Sequence, residues 1–351
     1  MNIPRDTRGT PRIGVLDQSP VIRGSSPVEA IRETVELARL AEDLGYHRYW
    51  LAEHHAITAL ADPCPEILVC RVASATSRMR VGTGGILLPY YSPMKVAEVF
   101  RMLETLFPGR IDLGIGRAPG GDRRTAQALA WGDYSGAERF PEQVVDLVGF
   151  LDGNLPKEHP FAGVKVQPEN AQTQGQGAPE VWLLGSSDYS AALAAQLGLR
   201  FGFAHFINGH DGDSVTRAFR AQYQPSSREP SPFAIACVFV ICAPTMDEAE
   251  KLAKSIDLRR LHMAKGIDAP VPTLEEAEAH PYTERERIYV QQQRARMIHG
   301  DPATVRDKLL ALSERYQADE LMLLTITPDA ASRRRSYELV AEAFDLAGQQ
   351  A

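Results

Sequence analysis

The chain is poor in cysteine, in long apolar runs and in excess charge of either sign, and each shortage removes a class of protein. Four cysteines in 351 residues, Cys64, Cys70, Cys237 and Cys242, fit neither a C-x-x-C redox pair nor a zinc cluster. They read as reduced thiols, two of them inside the apolar run FAIACVFVICA, where cysteine behaves as a small hydrophobe. No segment approaches membrane-spanning length, and the opening MNIPRDTRGTPR has no apolar core of the secretory kind, so a cytoplasmic protein without membrane attachment is expected. The net charge of -7 offers no electrostatic footprint for nucleic acid. The densest basic run, Arg333-Arg334-Arg335, is expected to be a solvated helix face. With 44% hydrophobic and 24% charged residues, disorder and coiled coil are poor readings.

What the chain does have is alternation. Short runs rich in β-branched residues at 13–17, 48–52, 80–88, 111–116, 181–184, 201–204, 233–242 and 320–325 are separated by segments of helical period. In the first of these, Ile31, Val35, Leu37, Leu40, Ala41 and Leu44 fall near one helical face, and Gly45 stands where a C-cap belongs. Eight β-then-α units without a linker predict one α/β domain over 1–351, a (β/α)₈ TIM barrel, with an open doubly wound sheet as the alternative. The stretch 266–300 is more than a barrel needs before its last strand and is expected to be an insertion, with a mobile lid as one role for it. Structureless loops are expected at 170–179 and 224–232.

Barrel chemistry gathers at the carboxyl ends of strands. Strand two delivers Glu53, His54 and His55 there. Because adjacent strand residues face opposite ways, one metal ion could not take both histidines, and no metal is expected. Acid-base work by one imidazole titrating near neutrality fits better, against the plain reading of a histidine filling a polar pocket. Strand three carries Gly82, Gly84 and Gly85, which suit either a flat ligand against the backbone or a bulge. Strand four leads to Arg117, a cation for an anionic ligand or for a surface ion pair. The GIGRAPGGD stretch around it lacks dinucleotide-fingerprint spacing. After strand five, Ser186, Ser187 and Ser190 open a helix, as an anion site or as ordinary caps.

Taken in order, LAEHH, VGTGGILLP, PGRIDLGIGRAPGGD and LLGSSDYS resemble the flavin-dependent monooxygenases of the bacterial luciferase-like family over most of the chain. LDQSP at 16–20 and RYWLAEHH at 48–55 bring it nearest to the single-chain luciferase-like oxidoreductases. The resemblance implies a barrel that binds reduced FMN and uses oxygen to oxygenate a small organic substrate. By position, His54 matches the acid-base histidine and Glu53 its neighbour at the flavin ring, both catalytic. Gly84 and Gly85 match a pair joined by a cis peptide bond against the isoalloxazine. Arg117, Ser186, Ser187 and Ser190 match the phosphate site. Gly116 departs from the pattern, standing where luciferase has a reactive cysteine, which puts light emission in doubt. With no nicotinamide site in sight, a separate NAD(P)H-dependent flavin reductase is the expected source of reduced FMN. The helix at 67–76, apolar on more than one face, suggests a homodimer. A deazaflavin (F420)-dependent hydride-transfer enzyme and a non-catalytic flavin-binding protein are the alternatives. Of the two histidines, His54 is expected to face the flavin and His55 to turn into the wall.

Overall fold

The computed structural model describes residues 10–118, 120–131, 138–169 and 178–349. In chain order its elements are β1 (Arg12–Asp17), α1 (Pro27–Leu44), β2 (Arg48–Leu51), α2 (Pro65–Ala73), β3 (Arg80–Leu87), α3 (Pro93–Leu106), β4 (Ile111–Gly116), α4 (Arg123–Leu129), α5 (Phe140–Asp152) and β5 (Glu180–Gly185). There follow α6 (Asp188–Leu197), β6 (Arg200–Ala204), α7 (Gly212–Gln222), β7 (Ala234–Cys242), α8 (Met246–Ala264), α9 (Leu274–Ala279), α10 (Glu284–Arg294), β8 (Met297–Gly300), α11 (Pro302–Tyr316), β9 (Glu320–Leu324) and α12 (Ala330–Phe344).

All strand pairings are parallel, in the order β6-β5-β4-β3-β2-β1-β9-β7, and β7 pairs back onto β6 to close the ring. The fold is therefore the expected (β/α)₈ barrel. The eight strands anticipated from sequence are β1–β7 and β9. Local chemistry sets the elements that feed it. Ser26 and Glu29 form a capping box at the start of α1, and Gly45 ends that helix at φ +92°, a conformation open to glycine.

Strand alternation sorts residues between two apolar layers. In β2, Tyr49 and Leu51 face the helices, while Trp50 faces the barrel interior with Leu16, Trp182, Ile235, Cys237 and Met322. At the amino-terminal end the interior is ionic. Arg48, 1% exposed, donates from Nε and Nη2 to the two oxygens of Glu320 (2.6 and 3.0 Å) and from Nη1 to Asp112 (2.7 Å) and Glu180 (3.3 Å). Burial opposes the charged forms of Asp112 and Glu320, but the surrounding cations and hydrogen bonds, Arg48 first among them, together outweigh it and hold both below the usual carboxylate range.

The insertion differs from expectation in extent. It begins right after β7, and its 266–300 part contains α9, α10 and β8, the last pairing with β7 at Phe239–Cys242, of which β9 reaches only Phe239. It is fastened to loops at the carboxyl ends of the strands. Val271 exchanges backbone bonds with Val21 and Arg23, Thr58 N–H donates to Asp268 (2.8 Å), and Arg296 donates to the Ile207 carbonyl (2.5 Å). The loop 224–232 is irregular as expected, whereas 170–177 lies outside the described residues.

The arginine run is a correction. Arg334 and Arg335 are solvated and pair with surface glutamates, but Arg333 is 4% exposed, donating to Asp17 Oδ1 (2.5 Å) and to the Thr325 carbonyl (2.8 Å). It ties the last helix to the carboxyl ends of β1 and β9. One residue in a charged run fell on the inner face of α12, which composition could not reveal.

Removing Arg48 strands Glu320 as a buried charge and leaves Asp112 to Arg80 and Trp50, so Arg48→Met is expected to destabilise the protein by about 3 to 5 kcal/mol in urea unfolding. A loss under about 1 kcal/mol would show that the network is dispensable.

Candidate active site

A cavity of about 260 Å³ opens at the carboxyl ends of the strands. Its wall takes residues from seven of them: Leu16, Trp50, Gly84, Gly85, Gly116, Leu184, Gly202 and Cys237 among others, with Glu53, His54, Arg117, Ser186, Ser187 and Ser190. Every site residue read from the sequence therefore meets at one cavity.

The Glu53-His54-His55 segment lies beyond β2, which ends at Leu51. Its rigidity comes from elsewhere. The amide of Ala52 donates to the Asp17 carbonyl (3.1 Å), that of Glu53 to Gly85 (3.4 Å), that of His54 to Asp62 (2.9 Å) and that of His55 to Gly120 (3.1 Å). Four successive amides thus reach β1, β3 and the loops after β2 and β4, which fixes the direction of each side chain.

Glu53 is buried and fully engaged. Its Oε1 accepts from the Tyr91 hydroxyl (2.6 Å) and lies 2.7 Å from His55 Nε2, and Oε2 accepts from the Leu87 amide (2.8 Å). Burial, then the bond to Glu53, pushes the Tyr91 hydroxyl well up, so it stays a donor. His55, spent on Glu53, points into the wall. Of the two histidines, His54 lines the cavity and His55 does not, a division set by these backbone bonds and not by strand alternation.

His54 lines the cavity. Its Nδ1 sits 3.2 Å from the Ala52 carbonyl, which can only accept, so Nδ1 carries the proton and Nε2 is left as an acceptor. Burial, with smaller contributions from Arg259 and His55, lowers this imidazole to about 4. The near-neutral value expected from sequence is corrected: burial makes His54 a neutral hydrogen-bonding group. Since His55 is committed to Glu53, the two rings have no common focus for a metal ion.

The glycines divide by cause. A Cβ on Gly84 would meet Leu16 at 2.6 Å, and one on Gly85 would meet the Gly114 carbonyl at 2.6 Å, so packing alone demands both. Their peptide bond is cis, and the β3–β4 register shifts there. Gly116 is different. A Cβ there would meet nothing closer than Leu87 at 3.9 Å, so no packing constraint requires glycine at this point of the cavity wall.

At the other end, Ser187 is the N-cap of α6 but makes no side-chain cap bond, and Ser190 is buried one turn on. Arg117 lies with its guanidinium 4.1 Å from the Tyr189 ring centre, which holds the cation at that helix end. Free amides, hydroxyls and a fixed cation make an anion cradle. Tyr91 and Asp62, which hold Glu53 and His54 in place, escaped sequence reading, because a tyrosine and an aspartate in loops carry no spacing signal.

A strand-end cavity in a (β/α)₈ barrel, lined by a positioned histidine and by a helix start with a cation beside it, has the layout of a barrel active site. Residues 12–319 match the luciferase-like monooxygenase family, and the chain belongs to it. It is 46% identical to the Bacillus subtilis protein YceB, over 95% of this chain and 99% of that one. It is 35% identical to the N-acetyl-S-alkylcysteine monooxygenase of Bacillus subtilis, over 95% and 98%. Among solved structures, apo-MsnO8 matches with a TM-score of 0.87 and 38% identity, covering 96% of this chain and 99% of that one. The FMN complex of the oxygenating constituent of 3,6-diketocamphane monooxygenase from Pseudomonas putida shares the fold, with a TM-score of 0.71, 20% identity and coverage of 97% and 98%.

The lowered His54 value carries a sign for stability. The unfolded imidazole titrates near 6.5 and the native one near 4, so the unfolded state binds the extra proton and native stability falls as pH drops through that window. Unfolding midpoints of the wild type should decline from pH 6.5 to 4 more steeply than those of His54→Gln. A His54 proton resonance titrating near 6.5 in the native protein would contradict this.

Proposed function

We propose that this protein is the oxygenase of a two-component, FMN-dependent monooxygenase: it takes reduced FMN from a separate NAD(P)H-dependent flavin reductase and oxygenates a small organic substrate. The observation that carries the reading is the single cavity with His54 on one side and the Arg117–Ser190 cradle at another. Family membership and the relatives named as monooxygenases support it.

The residues fit the cofactor. Ser186, Ser187, Ser190, the open amides of α6 and Arg117 would hold the phosphate. The Gly84–Gly85 backbone, with Trp50 and Leu184, offers the flat apolar surface a ring system needs, and Gly116 leaves that surface unobstructed. Bound reduced flavin supplies the electrons that activate oxygen for transfer to the substrate.

The chain's own part is positioning and proton handling. His54 Nε2 accepts a hydrogen bond from a group in the cavity, and its Nδ1 bond to Ala52 keeps the ring in that orientation. Glu53 is a positioning residue: it joins His55, Tyr91 and the Leu87 amide, and so holds the strand-two and strand-three loops together at the ring's edge. Apolar neighbours exclude water from the reacting groups.

The outer face of α2 and α3 suggests the homodimer surface. Ile67 is 64% exposed there, with Met102 and Leu106 also open to solvent. A monomeric mass by light scattering would rule that out.

His54→Ala is expected to lower substrate turnover by about 10²- to 10⁴-fold with FMN affinity retained, measured with a flavin reductase and NADH. Arg117→Ala combined with Ser190→Ala should weaken FMN but leave riboflavin affinity unchanged, since the two ligands differ by the phosphate. Equal loss for both would sink the cradle assignment, and preference for a deazaflavin over FMN in the same titration would favour a hydride-transfer enzyme instead.

A further inference from the structure

Helix α8 bears Leu252, Ile256 and Arg259 at i, i+4 and i+7, one stripe of its surface. Leu252 and Ile256 pack into the interior cluster that contains Leu16, Trp50, Ala52 and Cys237, four residues of the cavity wall. Arg259 continues the stripe. It stands close enough to His54 for its charge to contribute to the lowering of that imidazole.

Its surroundings are unlike those of the other inward arginines. Arg48 and Arg333 face carboxylates, Arg101 feeds the carbonyls of Phe150, Leu151 and Val166, and the neighbouring Arg260 donates to the Gln293 carbonyl and lies over Phe239. Arg259 Nε is sealed from water and bonded to nothing, and among the described residues no carboxylate, carbonyl or hydroxyl meets the guanidinium. The residue as a whole is only partly buried, and its terminal nitrogens, unlike Nε, are not among the sealed unpaired atoms. A guanidinium carries five donors and is expensive to desolvate unpaired. Burial accordingly pulls it down to about 10.

We propose that Arg259 is the recognition group for a carboxylate on the oxidisable substrate, which it pairs with beside His54. This deepens the monooxygenase reading and rests on it: the Arg117 cradle takes the cofactor's phosphate, and Arg259 selects an acidic substrate. A planar guanidinium binds a carboxylate through two parallel N–H bonds, which fixes the orientation of the substrate as well as its charge. The distinction matters because the chain as a whole is acidic, at -7, and draws no anion by its net field.

The test is equilibrium binding, by calorimetry, of benzoate and N-acetyl-S-benzylcysteine, each against its methyl ester, to the FMN-loaded protein. The wild type should bind the acids about tenfold or more tightly than the esters, the size of a charge-assisted bond. Arg259→Gln should bring acid and ester level while ester and FMN affinities stay unchanged, and Arg259→Lys should restore part of the preference. In proton resonance titrations of the wild type, saturation with either acid should raise His54, as should Arg259→Gln without ligand. Binding of acids and esters alike by the wild type, binding of neither, or a preference surviving in Arg259→Gln overturns the proposal. So does loss of FMN affinity in Arg259→Gln with acid preference intact, which would assign the cation to the cofactor. If the wild type fails to bind FMN yet discriminates acid from ester through Arg259, the monooxygenase reading falls and the carboxylate site stands.

Discussion

The Arg48 guanidinium inside the amino-terminal end of the barrel is the constraint on which the rest depends. It gathers Glu320 from the last strand, Asp112 from β4 and Glu180 from β5, so one side chain on β2 links strands around the ring. Such a network contributes little net stability, because desolvation offsets the attraction. Its value is geometric. Trp50 Nε1 donates to Asp112 Oδ2 (2.8 Å), and the Arg48 guanidinium lies over the Trp182 ring at 4.9 Å. The two indoles meet edge to face with centres 5.2 Å apart. Trp50 is also part of the cavity wall, so the ionic plug sets the level at which the cavity ends.

From that floor upward the structure trades strand order for loop order. The β2 ladder stops at Leu51, yet the next four amides are each taken by a different element or loop. Glu53 adds side-chain bonds to the same set, joining Tyr91 and Leu87 to His55. Catalytic geometry needs a group held to a fraction of an ångström, and a bare strand end does not supply that. Here the holding groups come from β1, β3 and the loops after β2 and β4. Arg333 extends the scheme, since its bond to Asp17 braces the β1 end whose carbonyl receives the Ala52 amide.

The sequence carried the barrel because a buried parallel strand must be apolar on both faces, and runs such as AIACVFVIC write that requirement openly. It carried residues that line the cavity because glycines, histidines and serines at strand ends are chemically conspicuous. It did not carry the order within 266–300. The short strand Met297–Gly300 extends along β7 only because β9 stops short of Cys242, a fact of register and not of composition. Nor could it separate Arg333 from Arg334 and Arg335, whose difference is one of helix phase. Arg259 left a fainter mark: a cation on the apolar stripe of Leu252 and Ile256 contradicts amphipathic patterning, and such contradictions gather at functional sites.

The low value of His54 changes how proton transfer at this site has to be understood. An imidazole near 4 is a weak base at neutral pH, and a general base works best near the ambient pH. Two of the causes of the low value are burial and the charge of Arg259. A negative group arriving beside Arg259 cancels the second and opposes the first, since an anion near an imidazole favours its protonated form. Ligand binding and base strength are thereby coupled through one side chain. On the carboxylate proposal, His54 is neutral at physiological pH until an anion pairs with Arg259, and it gains proton affinity when one does.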